Sequence, residues 1–230
     1  MEAYILIFER YGNLLLSGFY LTIYITFISI LFGLIFGLLL AVLKLYGPKI
    51  LKILSTFYIE IIRGTPMVVQ LFIIYYGLPS TGLVKFTPIT AAILGMGLNS
   101  AAYQAEYFRT AFLAIPTGQT DAALSIGMNR FKIIRYILLP QVFRIVIPAW
   151  TNELIALTQY SSLAMILTVM ELTSVGKYIG SKTFYYIQSF TIIAVIYVLL
   201  SIILTRFMIL FEKKLEIPGV SAVKGRTFSF

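Results

Sequence analysis

A chain of 230 residues that is 60% hydrophobic and only 12% charged, with a mean hydropathy of +0.94, is too apolar for a water-soluble domain and reads as an integral membrane protein. It holds neither cysteine nor histidine, which excludes disulfides, thiolate or imidazole metal sites and any histidine proton relay. The net charge of +9 would suit nucleic acid, but in a membrane protein a basic excess marks cytoplasmic ends, and its distribution along the chain decides between the two.

Glu2, Glu9 and Arg10 precede an apolar stretch that stays uncharged to Leu43. A signal peptide needs a basic start and a shorter core, so the expectation is a retained first span over about 14–43 with a short amphipathic lead-in. Gly33 and Gly37, four apart, form a small face where another helix can approach closely. Lys44, Lys49 and Lys52 follow around the turn Gly47-Pro48. Further apolar runs predict spans over about 53–78, 89–113, 145–170 and 184–210, with Lys85 in the loop between the second and third. The expected architecture is therefore an all-α, polytopic membrane protein of about five transmembrane helices, its transmembrane domain covering 1–216 and a tail 217–230 that is either mobile or held by a partner. Five spans put the termini on opposite sides. One side receives Lys44, Lys49, Lys52, the basic 115–141 segment and the tail; the other receives only Arg10, Lys85, Lys177 and Lys182. The positive-inside rule then places the N-terminus outside and the C-terminus inside, which accounts for the charge without nucleic acid. Aromatic pairs such as Tyr185-Tyr186 suit the headgroup level.

The segment 115–141 is the one sizeable polar interruption, so it lies in water or against another protein. Its chemistry predicts two short helices with a break. Pro116 suits a first turn, Asp121 favours the positive end of the helix dipole, Gly127 ends the first helix in a left-handed conformation, and Asn129 caps the second. Ala122 and Ala123 give a helix face that a partner can approach closely, so the segment is read as a docking helix.

The order Asp121-Ala122-Ala123, Gly127, then Ile137-x-Leu139-Pro140 resembles the EAA motif of the membrane subunits of ATP-binding cassette (ABC) importers, with Asp in place of the usual Glu. Arg63-Gly64-Thr65-Pro66, Asn99-Ser100-Ala101-Ala102-Tyr103 and Ile115-Pro116-x-Gly118-Gln119 resemble the polar amino acid branch of that family. The resemblance implies that the docking helix inserts into a separate ATPase subunit, with Gly118, Asp121, Ala122, Ala123, Ser125, Gly127, Arg130 and Pro140 carrying the coupling. No G-x-x-x-x-G-K-[ST] loop occurs, so no cofactor is expected in this chain itself, and ATP and Mg belong to the partner. Five spans are few to enclose a path. The expected assembly is a permease dimer, most simply a homodimer, in the cytoplasmic (inner) membrane, with two ATPase copies, an extracellular solute-binding protein and a polar amino acid as substrate.

Ionisable or polar residues inside apolar runs face a partner or a water-filled path, because at membrane depth they cost on the order of 3 kcal/mol. Glu60 and Arg63, three apart, are expected to pair, as are Glu106 and Arg109. Thr65, Met67 and Gln70 flank the helix disturbance at Pro66, and with Asn99 and Ser100 they are candidates for the substrate path. Glu153 has no basic residue within two turns in sequence, so it is paired across helices, protonated or facing water. It joins Gln159 and Tyr160 as a path candidate. In related permeases an acid often precedes the Ser-Ser-Leu ending; Gln159-Tyr160 stands here instead, which weakens any inference to a basic amino acid. The alternative is an ion-coupled secondary amino acid transporter or channel that works without an ATPase. A membrane-bound enzyme has little support without histidine, cysteine or a paired-carboxylate motif.

Overall fold

The structure, a computed structural model, describes residues 2–82 and 84–215, and the tail expected at 217–230 lies outside them. The described residues form ten α-helices: α1 (Glu2–Tyr46), α2 (Lys49–Gly64), α3 (Met67–Phe72), α4 (Leu78–Ser80), α5 (Pro88–Leu113), α6 (Thr117–Ser125), α7 (Arg130–Ile133), α8 (Leu139–Tyr160), α9 (Leu172–Thr183) and α10 (Tyr186–Leu215). π-helical turns at Ile73–Gly77 and Ile134–Leu138 splice α3 to α4 and α7 to α8, and a 3-10 helix, Ser161–Leu167, extends α8.

Among the described residues, three helices are long and apolar enough to cross a bilayer: α1, the run Arg130–Leu167 and α10. The second run, expected as one span, is bent by 107° between α2 and the segment Met67–Ser80, and counts as a fourth only if the bent pair is taken as one. The cause is Pro66. It has no N–H to close the turn onto the Ile62 carbonyl, and Thr65 before it is extended (φ −117°, ψ 144°). Gln70 repairs the gap, since its Nε2 donates to the Ile62 carbonyl at 2.7 Å and to the carbonyl and hydroxyl of Thr65 at 3.0 and 2.9 Å.

Helix α5, 26 residues and so about 39 Å long, has the length for a hydrocarbon core of about 30 Å, yet its second half carries Gln104, Glu106 and Arg109. It avoids lipid by sitting in the middle, packed against α1, α2, α3, α8 and the 3-10 segment. The Gly33/Gly37 face of α1 makes this possible. A Cβ at Gly33 would stand 2.5 Å from Gln104 Nε2, and one at Gly37 2.9 Å from the Ala101 carbonyl. The 115–141 segment differs from the sequence expectation in one respect. Its first helix, α6, ends as expected, but α7 runs through the π turn straight into α8, so the second helix is the root of a long one. One apolar cluster gathers Ala41, Phe108, Phe112, Ala123, Ile133 and Val142, tying α6 and α7 to the ends of α1 and α5.

Candidate functional site

The break after α6 is built from backbone hydrogen bonds. Gly127 has φ +80°, its N–H donates to the Leu124 carbonyl at 2.9 Å, and Met128 N–H donates to the Ala123 carbonyl at 3.1 Å. This is the Schellman pattern, which favours glycine at the left-handed position. Asn129 Oδ1 then accepts Lys132 N–H at 2.9 Å and caps α7. Ala123 is buried in the cluster beneath, while Asp121, Ala122, Leu124, Ser125, Ile126 and Gly127 are exposed together with Gly118 and Arg130. Leu124, Ile126 and Phe131 stay 48%, 78% and 69% exposed, which leaves an apolar surface around the acid. Pro140, at the second residue of α8, follows the π turn, and the next residue locks the segment. Gln141 and Gln119 exchange hydrogen bonds at 2.7 and 3.3 Å, and Gln141 Nε2 also donates to the Ile137 carbonyl at 2.7 Å.

Along α5 the polar residues fall into two hydrogen-bonded groups. Glu153, reached from α8 and buried, accepts the Ser100 hydroxyl at 2.7 Å and the Tyr107 hydroxyl at 3.2 Å. Gln104 donates to Ser100 Oγ and to the Ile30 carbonyl, and accepts the Trp150 indole N–H at 2.8 Å. Asn99 Nδ2 donates to Gln70 Oε1 at 3.0 Å, which connects α5 to the repaired break. The structure thus brings Thr65, Gln70 and Asn99 into one group and Ser100 and Glu153 into another. Met67 packs against a core cluster, and Gln159 and Tyr160 are exposed at the end of α8.

Of the expected ion pairs, Arg109 Nε lies 2.8 Å from Glu106, and Lys44 Nζ reaches the other carboxylate oxygen at 2.8 Å from α1. Glu60 and Arg63 form no ion pair. The Arg63 guanidinium instead lies 5.2 Å from the Tyr103 ring centroid, a cation–π position, while Glu60 is exposed.

One buried carboxylate escaped the sequence reading. Glu171, with no exposed surface, accepts the N–H groups of Thr173 and Ser174 at 2.7 and 2.8 Å and the Tyr197 hydroxyl at 3.1 Å, while Leu172 N–H goes to Thr22 Oγ1. Glu171 caps α9 and ties it to α10, and Thr22 ties it to α1. The local signal was an acid followed by Leu-Thr-Ser at a helix start.

Residues 33–217 match the family described as "Binding-protein-dependent transport system inner membrane component". The chain is 40% identical over 206 residues to the probable amino-acid permease protein YxeN of Bacillus subtilis, covering 89% of this chain and 92% of that one. It is 34% identical over 205 residues to the glutamine transport system permease protein GlnP of Escherichia coli, covering 89% and 94%. It superimposes on a solved amino acid ABC transporter crystallised with histidines at a TM-score of 0.83 and 34% identity, covering 90% and 96%. A methionine ABC transporter in inward-facing form, at TM-score 0.80 and 24% identity over 91% and 99%, shares the fold. The chain belongs to the family of binding-protein-dependent transport system inner membrane components, and its relatives are amino-acid ABC permeases.

Proposed function

We propose that this chain is the translocating subunit of an ATP-driven importer for a polar amino acid. The observation that carries the reading is the α6 segment. An exposed Asp121-Ala122 face, held out by a glycine-ended helix and rooted in an apolar cluster, suits insertion into another protein. The same cluster includes Phe108 and Phe112 of α5, so displacement of α6 is passed to the helix that bears Asn99, Ser100 and Gln104. In this reading α1, the bent α2–α3 pair, α5, α8 and α10 are five spans, with the N-terminus outside and α6 in the cytoplasm. Two copies, each docked to a cytoplasmic ATPase that binds ATP and Mg, enclose the path, and an extracellular binding protein delivers the solute. Closure of the ATPase pair draws the two α6 helices together and turns the path outward; hydrolysis resets it. Glu153 is the residue best placed to meet the substrate's ammonium group, which every amino acid carries. The names of the relatives support an amino acid as cargo.

The test is ATPase activity of this chain purified in lipid with its ATPase partner, with and without a panel of amino acids and the binding protein. Activity that requires the complex and responds to one amino acid is the expected result. Failure of any ATPase to associate would overturn the reading.

A further inference from the structure

The polar residues of α2 fall at positions 49, 52, 56, 60 and 63, spaced three, four, four and three apart. At about 100° per residue they form one stripe spanning about 80° of the helix. The side packed on the rest of the protein holds Ser55 and Ile59, with Tyr58 donating to the Leu98 carbonyl at 2.8 Å. The remaining exposed sector is apolar: Ile50, Leu54, Phe57 and Ile61. The polar stripe is therefore a third sector, neither packed nor apolar. An open groove of about 500 Å³ runs along the edge where the stripe meets the apolar sector, lined by Lys49, Lys52, Thr56 and Glu60 on one side and Ile53 and Phe57 on the other. Glu60 and Arg63 do not satisfy each other, and an exposed carboxylate two turns inside an apolar sequence is stable only beside water or a partner. At its inner end the stripe reaches Tyr103 through Arg63. One turn further along α5, Tyr107 donates to Glu153.

We infer that this stripe is the water-filled wall by which the solute leaves the Glu153 region for the cytoplasm. Its three cations against one carboxylate favour a solute of zero or negative net charge over one of net positive charge. The inference rests on the importer reading for its direction, because that reading places Lys49 and Lys52 at the cytoplasmic end.

The chain has no native cysteine, so a single introduced thiol is unique. Thr56→Cys and Lys52→Cys on the stripe, with Leu54→Cys and Ile61→Cys on the apolar sector as controls, are reconstituted with the ATPase partner. They are then treated without nucleotide with anionic and cationic membrane-impermeant methanethiosulfonates of known free-thiol rates. The stripe thiols should react at least tenfold faster than the controls. At Thr56→Cys, which preserves every charge, the anionic reagent should gain severalfold over the cationic one at low salt. Equal rates on both sectors, or cross-linking of two copies in place of modification, would overturn the water-facing wall, and absence of a reagent preference would overturn its selectivity. ATP-dependent uptake by the unmodified chain is measured in the same vesicles. If uptake holds and the labelling contrast is missing, this inference fails while the importer reading stands; if uptake requires no ATPase, the importer reading is the one that fails.

Discussion

The Ser100 hydroxyl donates to the Glu153 carboxylate at 2.7 Å, and this bond joins α5 to α8 at the centre of the bundle. Ser100 is fully buried, so water does not take over once its hydroxyl is removed, and the Tyr107 hydroxyl is engaged on the other carboxylate oxygen. Leaving a buried acceptor unsatisfied costs about 1–3 kcal/mol, and more for a charged one. Ser100→Ala is therefore expected to lower the apparent Tm and cut uptake at least tenfold. Ser100→Thr, which keeps the hydroxyl, should be milder. If Ser100→Ala transports as the parent does, Glu153 does not depend on this bond. Thermal unfolding in detergent and radiolabelled uptake in vesicles read the two effects.

Gly127 isolates a backbone effect. No atom lies within 4 Å of where its Cβ would stand, so a side chain there meets open space and pays only for φ +80°. Gly127→Ala should cost about 1–2 kcal/mol of local stability, and Gly127→Asn less, because Asn tolerates the left-handed region. Both should leave the fold intact while loosening the α6–α7 junction. The expected readout is weaker binding to the ATPase partner, with Ala below Asn below the parent. An unchanged affinity for the Ala variant would detach the break from docking.

Both the left-handed Gly127 and the Asn129 cap were legible because each depends on residues within a single turn. The Gly33/Gly37 face was legible for the same reason, although the helix it accepts was not named by the pattern. Hydropathy read the second run as one span because it registers composition, whereas the bend follows from the single missing N–H of Pro66 and its replacement by Gln70. The spacing of Glu60 and Arg63 permitted a pair. Arg63 found the Tyr103 ring on another helix, and sequence spacing carries no information about that competition. The cap that Glu171 provides was written locally, in the N–H groups of Thr173 and Ser174, but its burial was not, because Tyr197 and, through Leu172, Thr22 lie far away in sequence. The central place of α5, Pro88–Leu113, became visible only once the close approach of α1 was seen.

Glu171 supplies the acceptors for two N–H groups at the start of α9, in a place without exposed surface. Replacing a capping side chain by Ala costs about 0.5–2 kcal/mol at ordinary helix ends, and burial puts this site at or above the upper limit. Glu171→Ala should thus lower the apparent Tm markedly and increase hydrogen exchange at Thr173 and Ser174. Glu171→Gln keeps one carbonyl acceptor and should recover part of the loss. Equal protection of the two amides in the parent and the Ala variant would show that another group caps α9.

Thr168 is the position where substitution is expected to help. It ends the 3-10 helix at φ +66°, its N–H donates to the Met165 carbonyl at 3.1 Å, and Val169 N–H donates to the Ala164 carbonyl at 3.2 Å. This is again the Schellman arrangement, with a β-branched residue where glycine is favoured. The left-handed conformation costs a non-glycine residue about 1–2 kcal/mol. Glycine removes that cost but gives back about 0.4–1 kcal/mol through the freedom it adds to the unfolded chain. The threonine side chain is exposed, so little packing is lost with it. Thr168→Gly should therefore raise stability by about 0.5–1 kcal/mol, seen as a small upward shift in apparent Tm, while Thr168→Val should give no gain because it retains the β-branch and the strain. A lower Tm for Thr168→Gly would mean that the threonine hydroxyl contributes more to the fold than its backbone costs.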